Sequence, residues 1–383
     1  MTSSTPEHQP QPTSSTPLTP KSGWGALFSK PHLTAVIVMA SGVGLYAMNL
    51  YFTAALMPTV VAEIGGQQYY AWASTGYLIT AVIATMFVSR MLTTQGAAHT
   101  YVTAYLLFAA GTLISAASPT MELFVTGRAV QGFGAGLLTG LGYAVIRSVL
   151  PQTLWTRGTG VVSAMLGIGT LVGPALGGVF AELNAWRAAF GVLAALAVIL
   201  SVVTLRALPR RKPAKSIRLR VPIPSIIALA LTSATLSLSS TLSTFWVPVM
   251  VGAGLLLLIV FLAVDARDAN GVLPRLTYAR CNQLKWVYLT VAALCAGVMV
   301  ENFIPLFGQQ LANLSPLLAG LLGAVLSLGG LLPSSSARTP RGRSLADLLV
   351  PVQCSSPWAW QATEYCKLCT PRRSSLCYGW SCC

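Results

Sequence analysis

Few residues of this chain are equipped for chemistry, and those few lie in unusual places. Arg128 and Gln131, about one helical turn apart, sit inside an otherwise apolar stretch, 123–145. Glu301 is the only acidic residue well inside such a stretch, 286–307, and Asn49 lies within 33–55. A buried guanidinium is costly, so Arg128 has to meet a partner or a cavity and reads as a functional residue. A carboxylate in apolar surroundings is costly to keep charged, which equips Glu301 to take up and release a proton. The other reading of Glu301, a carboxylate near the outer end of its helix that reaches the interface, stays open. Asn49 cannot titrate and is restricted to hydrogen bonding.

The elements that must hold these residues are membrane helices. Of 383 residues 54% are hydrophobic and 9% charged, with mean hydropathy +0.67. A soluble chain carries about a quarter charged residues, so this one cannot solvate a surface of its size. Apolar runs at 33–55, 72–91, 101–117, 123–145, 160–180, 190–208, 223–242, 245–264, 286–307 and 317–332 give about ten spans, each near the roughly 20 residues that a crossing needs. The expected fold is an all-α polytopic bundle in the cell (inner or plasma) membrane.

Orientation follows from the basic residues. With the N-terminus cytoplasmic, Arg90, Arg147, Arg157, the run 206–220, Arg267, Arg275 and Lys285 fall inside, while the outer loops hold Glu63, Glu122, Glu182 and Arg187. The net charge of +15 is therefore a topological signal. It gives no reason to expect nucleic acid, and the modules that bind it are absent.

Residues 1–30, rich in Ser, Thr, Pro and Gln, lack the apolar core of a cleaved signal and read as a disordered cytoplasmic tail. The rest divides into a six-helix bundle at 31–208 and a basic cytoplasmic linker at 209–222. Two further spans with a loop follow at 223–284, the start of a second bundle at 285–332, and a tail at 333–383.

The fourth run reads Gly127-Arg128-Ala129-Val130-Gln131-Gly132-Phe133-Gly134-Ala135-Gly136, and the fifth Gly169-Thr170-Leu171-Val172-Gly173-Pro174-Ala175-Leu176-Gly177-Gly178. Glycines at four-residue spacing give a smooth stripe for another helix, and Pro174 removes a backbone donor. Together and in this order they resemble the R-x-x-Q-G-x-G-A and G-x-x-x-G-P-x-x-G-G signatures of the major facilitator superfamily. Trp186-Arg187 with Phe190, and the stretch 261–276, are similar to the fourteen-span drug:proton antiporter branch. The resemblance covers approximately 33–332.

What it implies is an alternating-access carrier of two pseudo-symmetric six-helix bundles, exporting lipophilic, often cationic compounds against proton entry, with no enzyme chemistry and no cofactor. Arg128, Gln131, Asn49 and Glu301 are then candidates for proton coupling or substrate binding. Gly169, Gly173, Pro174, Gly177 and Gly178 form the antiporter-motif helix. The implied partners are a small-molecule substrate, protons and the bilayer.

Two departures stand out. The loop after the second span, where the family reads G-x-x-x-D-R-x-G-R-R, here reads Ser89-Arg90-Met91-Leu92-Thr93-Thr94-Gln95-Gly96-Ala97-Ala98. The acid and its basic partners are absent, and only Gly96 matches. Asn49 stands where this branch often has an Asp, nine residues before Pro58. Tyr46, Tyr51, Phe52, Trp72 and Tyr77 are candidates to line a pocket for flat lipophilic compounds, with an interfacial anchor favoured for Trp72.

The tail 333–383 holds six of the eight cysteines, including Cys366 and Cys369 at zinc-like spacing. It lacks a well-spaced second half and any His, so no metal is expected. It reads instead as a truncated or out-of-frame continuation. The alternative function is accordingly an incomplete, non-transporting remnant of such a transporter.

Overall fold

In this computed structural model residues 24–208, 223–239, 241–242, 244–267, 271–273, 275–278, 284–301 and 303–331 are described. Residues 1–23, the basic linker 209–222 and the Cys-rich tail from 332 onward lie outside them. With no water in a bilayer core, backbone groups must be satisfied within each element, and the apolar runs form helices accordingly.

The helices are α1 (Lys30–Ile64), α2 (Tyr70–Ala116), α3 (Met121–Ala144), α4 (Trp155–Glu182), α5 (Trp186–Ala207), α6 (Ile223–Leu238), α7 (Val247–Arg267), α8 (Leu284–Glu301), α9 (Ile304–Leu311) and α10 (Pro316–Leu331). Among the described residues five helical segments are long and apolar enough to cross a membrane by themselves: His32–Ile64, Gln67–Ala116, Gln152–Glu182, Trp186–Arg206 and Val247–Arg267. α3, which carries Arg128, is not one of them, because its apolar side chains are diluted by Gly, Gln and Arg.

α2 is two passes joined at one residue. Gly96 has φ 78° and ψ 167°, a conformation closed to other residues without strain. Both arms of α2 pack on α3. Tyr77, Ala81 and Val88 of the leading arm meet Gly132, Gly136 and Gly140 in the same order, whereas Ser115 and Phe108 of the trailing arm meet Gly127 and Gly134 in reverse. One arm therefore runs parallel to α3 and the other antiparallel, which requires the chain to fold back at Gly96. The loop read from the sequence at 92–100 is thus a single-residue hinge.

α4 runs parallel to α1. Gly169, Gly173 and Gly177 press on Ala47–Met48, Met48–Phe52 and Phe52–Ala55 in turn. Pro174 and Gly178 face α10 instead, against Gly320 and Leu317. The antiporter-motif helix is thus sandwiched between the first helix and the last described one. α6 and α7 pack on each other, and α6 also leans on the leading arm of α2.

Two expected boundaries are corrected. The run 286–307 is divided into α8, which ends at Glu301, and α9, which starts at Ile304, with Pro305 in the first turn of α9, where its missing N–H costs nothing. Trp24–Leu27, inside the segment read as a disordered tail, is a helical turn that buries Leu27 completely.

The first six passes bury their side chains in two apolar clusters. One gathers Leu45, Leu50, Tyr77, Phe108, Leu138 and Leu141, and the other Phe52, Leu56, Ala73, Phe124, Trp186 and Phe190. The clusters change over between Tyr51 and Phe52 on α1, and between Phe124 and Ala135 on α3.

Candidate functional site

The layer between the two clusters is polar. Arg128, Gln131, Asn49, Thr53 and Thr112 meet there, each 1% exposed or less. α1 contributes Asn49 and Thr53, the trailing arm of α2 Thr112, and α3 Arg128 and Gln131 at i, i+3 on one face. The small residues flanking Arg128 and Gln131 on α3 let both arms of α2 come close enough for these side chains to meet across the helices. A Cβ at Gly127 would lie 2.7 Å from the Ser115 backbone nitrogen.

Arg128 is a donor-only group, and this fixes the order of everything attached to it. Its Nε donates to the Ala73 carbonyl at 3.3 Å and its Nη1 to Gln131 Oε1 at 2.5 Å. The guanidinium carbon lies 4.2 Å from the centroid of the Tyr77 ring, a cation–π contact. With its oxygen committed to Arg128, Gln131 presents Nε2 as a donor, to Asn49 Oδ1 at 3.2 Å and Thr112 Oγ1 at 2.6 Å. The Thr112 hydroxyl in turn donates to the Phe108 carbonyl at 2.6 Å. Tyr77 donates to the Tyr46 carbonyl at 3.3 Å, and the two rings stack with centroids 6.0 Å apart. Among the described residues Arg128 Nη2 is buried without a hydrogen-bond partner.

The structure thus brings together Arg128, Gln131 and Asn49 of the four candidates. Glu301 ends α8, and its side chain lies outside what is described. Phe303, two residues on, stacks on Tyr70 with centroids 6.2 Å apart. Thr112, Thr53 and the Ala73 carbonyl were not found from the sequence. A threonine in a membrane helix ordinarily bonds its own backbone, and its position against Gln131 depends on how α2 folds back.

Among the aromatic candidates, Tyr46 and Tyr77 border this layer. Phe52 belongs to the apolar cluster beside Phe180 and Phe190, and Tyr51 is buried in the other. Trp72 is half-buried, and its indole N–H is enclosed with no hydrogen-bond partner among the described residues. An anchor would turn that N–H to the headgroups.

A second polar group staples the end of the bundle away from the Gly96 hinge. Glu63 at the end of α1 accepts from Trp186 Nε1 at 2.5 Å and pairs with Arg187, both at the start of α5. Arg187 also donates to the Ser118 carbonyl at 3.2 Å and stacks on Trp186 at 4.2 Å. Beside it opens a cleft of about 530 Å³ lined by Pro58, Glu63, Glu182, Asn184, Gln309 and Pro316. At the far end, Asp265 of α7 is buried and accepts from the backbone N–H of Val272 and Leu273 and from the Tyr278 hydroxyl. Burial, then the Asp265 carboxylate, push that hydroxyl up to about 12.

The described residues contain no cluster of His, Cys, Asp and Glu able to hold a metal ion. Cys366 and Cys369 lie outside them.

Known proteins resemble this chain in sequence and in fold. A probable multidrug-efflux transporter of Mycobacterium tuberculosis is 40% identical over 314 residues, which is 80% of this chain and 66% of that protein. A multidrug efflux pump of Staphylococcus aureus is 27% identical over 282 residues, 71% of this chain and 61% of the pump. The chain spans about two thirds of the length of these relatives. In three dimensions the crystal structure of a peptide transporter, 15% identical, superposes with a TM-score of 0.53 over 84% of this chain and 71% of its own. The glycine-bearing α3 and α4 and the buried Arg128 layer lie within residues 39–346, which match the Major Facilitator Superfamily, and this multi-pass membrane chain belongs to that superfamily.

Proposed function

We propose that the chain works as a secondary active transporter that exports drugs or other lipophilic small molecules by alternating access, coupled to proton entry. The observation that carries this reading is the polar layer around Arg128, enclosed at mid-bundle between two apolar clusters. A purely structural bundle has no reason to bury a cation there, since apolar side chains of the same size pack at lower cost. The efflux names of the relatives that share 40% and 27% identity point the same way.

In this reading residues 31–208 are the first bundle, 209–222 the linker, 223–284 an inserted helix pair, and 285–332 the opening of the second bundle. α4 slides between α1 and α10 on its glycine stripe. Glu301 is the coupling carboxylate. It stands two residues before Phe303, which stacks on Tyr70, three residues ahead of the carbonyl that Arg128 holds.

The test is efflux of a fluorescent lipophilic dye from vesicles containing the purified chain, with and without a proton gradient. Gradient-dependent efflux is expected, and Glu301→Gln should uncouple it while leaving dye exchange intact. Full proton-driven efflux in Glu301→Gln removes Glu301 from the mechanism.

A second reading, a membrane remnant that does not transport alone, is favoured by α8, whose Trp286, Val287, Leu289 and Val291 are all about half or more exposed. No gradient-dependent movement of any dye by the parent chain would establish it.

A further inference from the structure

We infer that the ligand of the Arg128 layer presents an anionic oxygen, a carboxylate or its equivalent, and that a compound whose only charge is positive is disfavoured there. This narrows the substrate class of the site proposed above and rests on that site being a ligand site.

The argument runs from donors and acceptors. Arg128 is wholly buried, and its described partners are a carbonyl, an amide oxygen and a ring face. None is a carboxylate. Each offers only partial negative charge, so the layer keeps close to a full unit of positive charge in a low-dielectric place. Asn49, which bonds through Gln131 toward Arg128, is neutral.

The hydrogen-bond order then decides what is left over. Arg128 draws the Gln131 oxygen to itself, Gln131 draws the Asn49 oxygen, and the Thr53 hydroxyl points at that same oxygen at 3.5 Å. The acceptor oxygens of both amides are therefore already engaged. What remains are two donors, Arg128 Nη2 and Asn49 Nδ2, both buried and without a partner among the described residues. An unmet charged donor in such a place is expensive. What satisfies it is an acceptor, best of all a charged one in the plane of the guanidinium. A lone cation brings like charge to the layer and meets amide oxygens that already accept from Arg128, Gln131 and Thr53.

Two probes on one scaffold test this. A carboxyrhodamine with a free benzoate and its methyl ester, a net cation, differ in one carboxylate. Their binding to the purified full chain is read by fluorescence anisotropy at mildly alkaline pH. The free acid should bind roughly ten- to hundredfold tighter, the range of a charge-assisted hydrogen bond. Arg128→Gln should erase that preference. Should Arg128→Gln not fold, Asn49→Asp keeps the shape and sets a carboxylate into the layer, and its preference should turn toward the ester.

Equal or tighter binding of the ester by the parent chain overturns the inference, as does binding of neither probe. An acid preference that survives Asn49→Asp also overturns it. If the acid preference follows the variants but no gradient-driven efflux is seen, the transport reading fails and the ligand assignment stands.

Discussion

At the scale of single residues the shape of Arg128 matters as much as its charge. Nε and Nη1 lie in one plane and reach two acceptors at once, while the flat face covers Tyr77. Lysine keeps the charge but is a point donor on a flexible stem, and it cannot hold both acceptors and the ring together. Arg128→Lys is therefore expected to lose about 1–3 kcal/mol of stability, the cost of leaving buried acceptors unmet, and most of any transport. Thermal unfolding in detergent beside a dye-efflux assay checks both, and wild-type values in each would mean that charge alone suffices. Arg128 and Gln131 were legible in the sequence because a charge in an apolar run needs a reason, and Asn49 because it could be counted back from Pro58. Thr112 and Tyr77 were not tied to them. Their roles come from neighbouring helices, and a threonine or tyrosine in a membrane helix has several commoner uses. For the same reason Glu63 and Arg187 read as separate loop charges, although they form one staple with Trp186.

At the scale of elements, α3 is held by close approach. A methyl on Gly136 would overlap the Ala81 carbonyl in the leading arm of α2, backbone that cannot swing aside. Gly160 on α4 has open space where a methyl would go. Gly136→Ala should accordingly lower the thermal midpoint by several degrees and weaken binding at the Arg128 layer, since Gln131 and Thr112 meet only when α2 and α3 are in contact. Gly160→Ala should stay within a degree of the parent or above it, because alanine is the better helix former. Equal melting of the two variants would show that the α2–α3 approach is not what holds the layer. The helices themselves were legible, since apolar length is a strong signal in a chain that cannot hide polar backbone from lipid. The division between α8 and α9 is not legible although Pro305 marks it, because Phe303, Ile304 and Leu306 keep the run apolar. From the sequence the hinge at Gly96 reads as a nine-residue loop, since only the paired packing of both arms on α3 shows that the turn takes a single residue.

At the scale of the whole molecule, charge sorts to opposite ends. Glu63, Glu182 and Arg187 lie where α1 and α4 end and α5 begins, with Glu122 in the first turn of α3. Arg90 lies toward the Gly96 hinge, Arg147 between α3 and α4, Arg157 in the first turn of α4, and Arg206 at the end of α5. Each pass reverses direction, so a single choice of side fixes all of them, and the excess of arginine assigns the hinge end to the cytoplasm. Gln95 beside the hinge and Leu183 in the α4–α5 turn are both exposed, Leu183 by 68%. Cysteines at these two positions report the two ends independently of transport. A membrane-impermeant maleimide added to intact cells should label Leu183→Cys above the background set by the chain's own cysteines, and Gln95→Cys only after permeabilisation. The reverse pattern would invert the molecule and place the cleft beside Glu182 in the cytoplasm. Labelling of both from outside would mean that the first six passes do not insert as one bundle. With the order as expected, the cleft at Glu63 and Glu182 opens outward, above the Arg128 layer and on the side where an exported compound would leave.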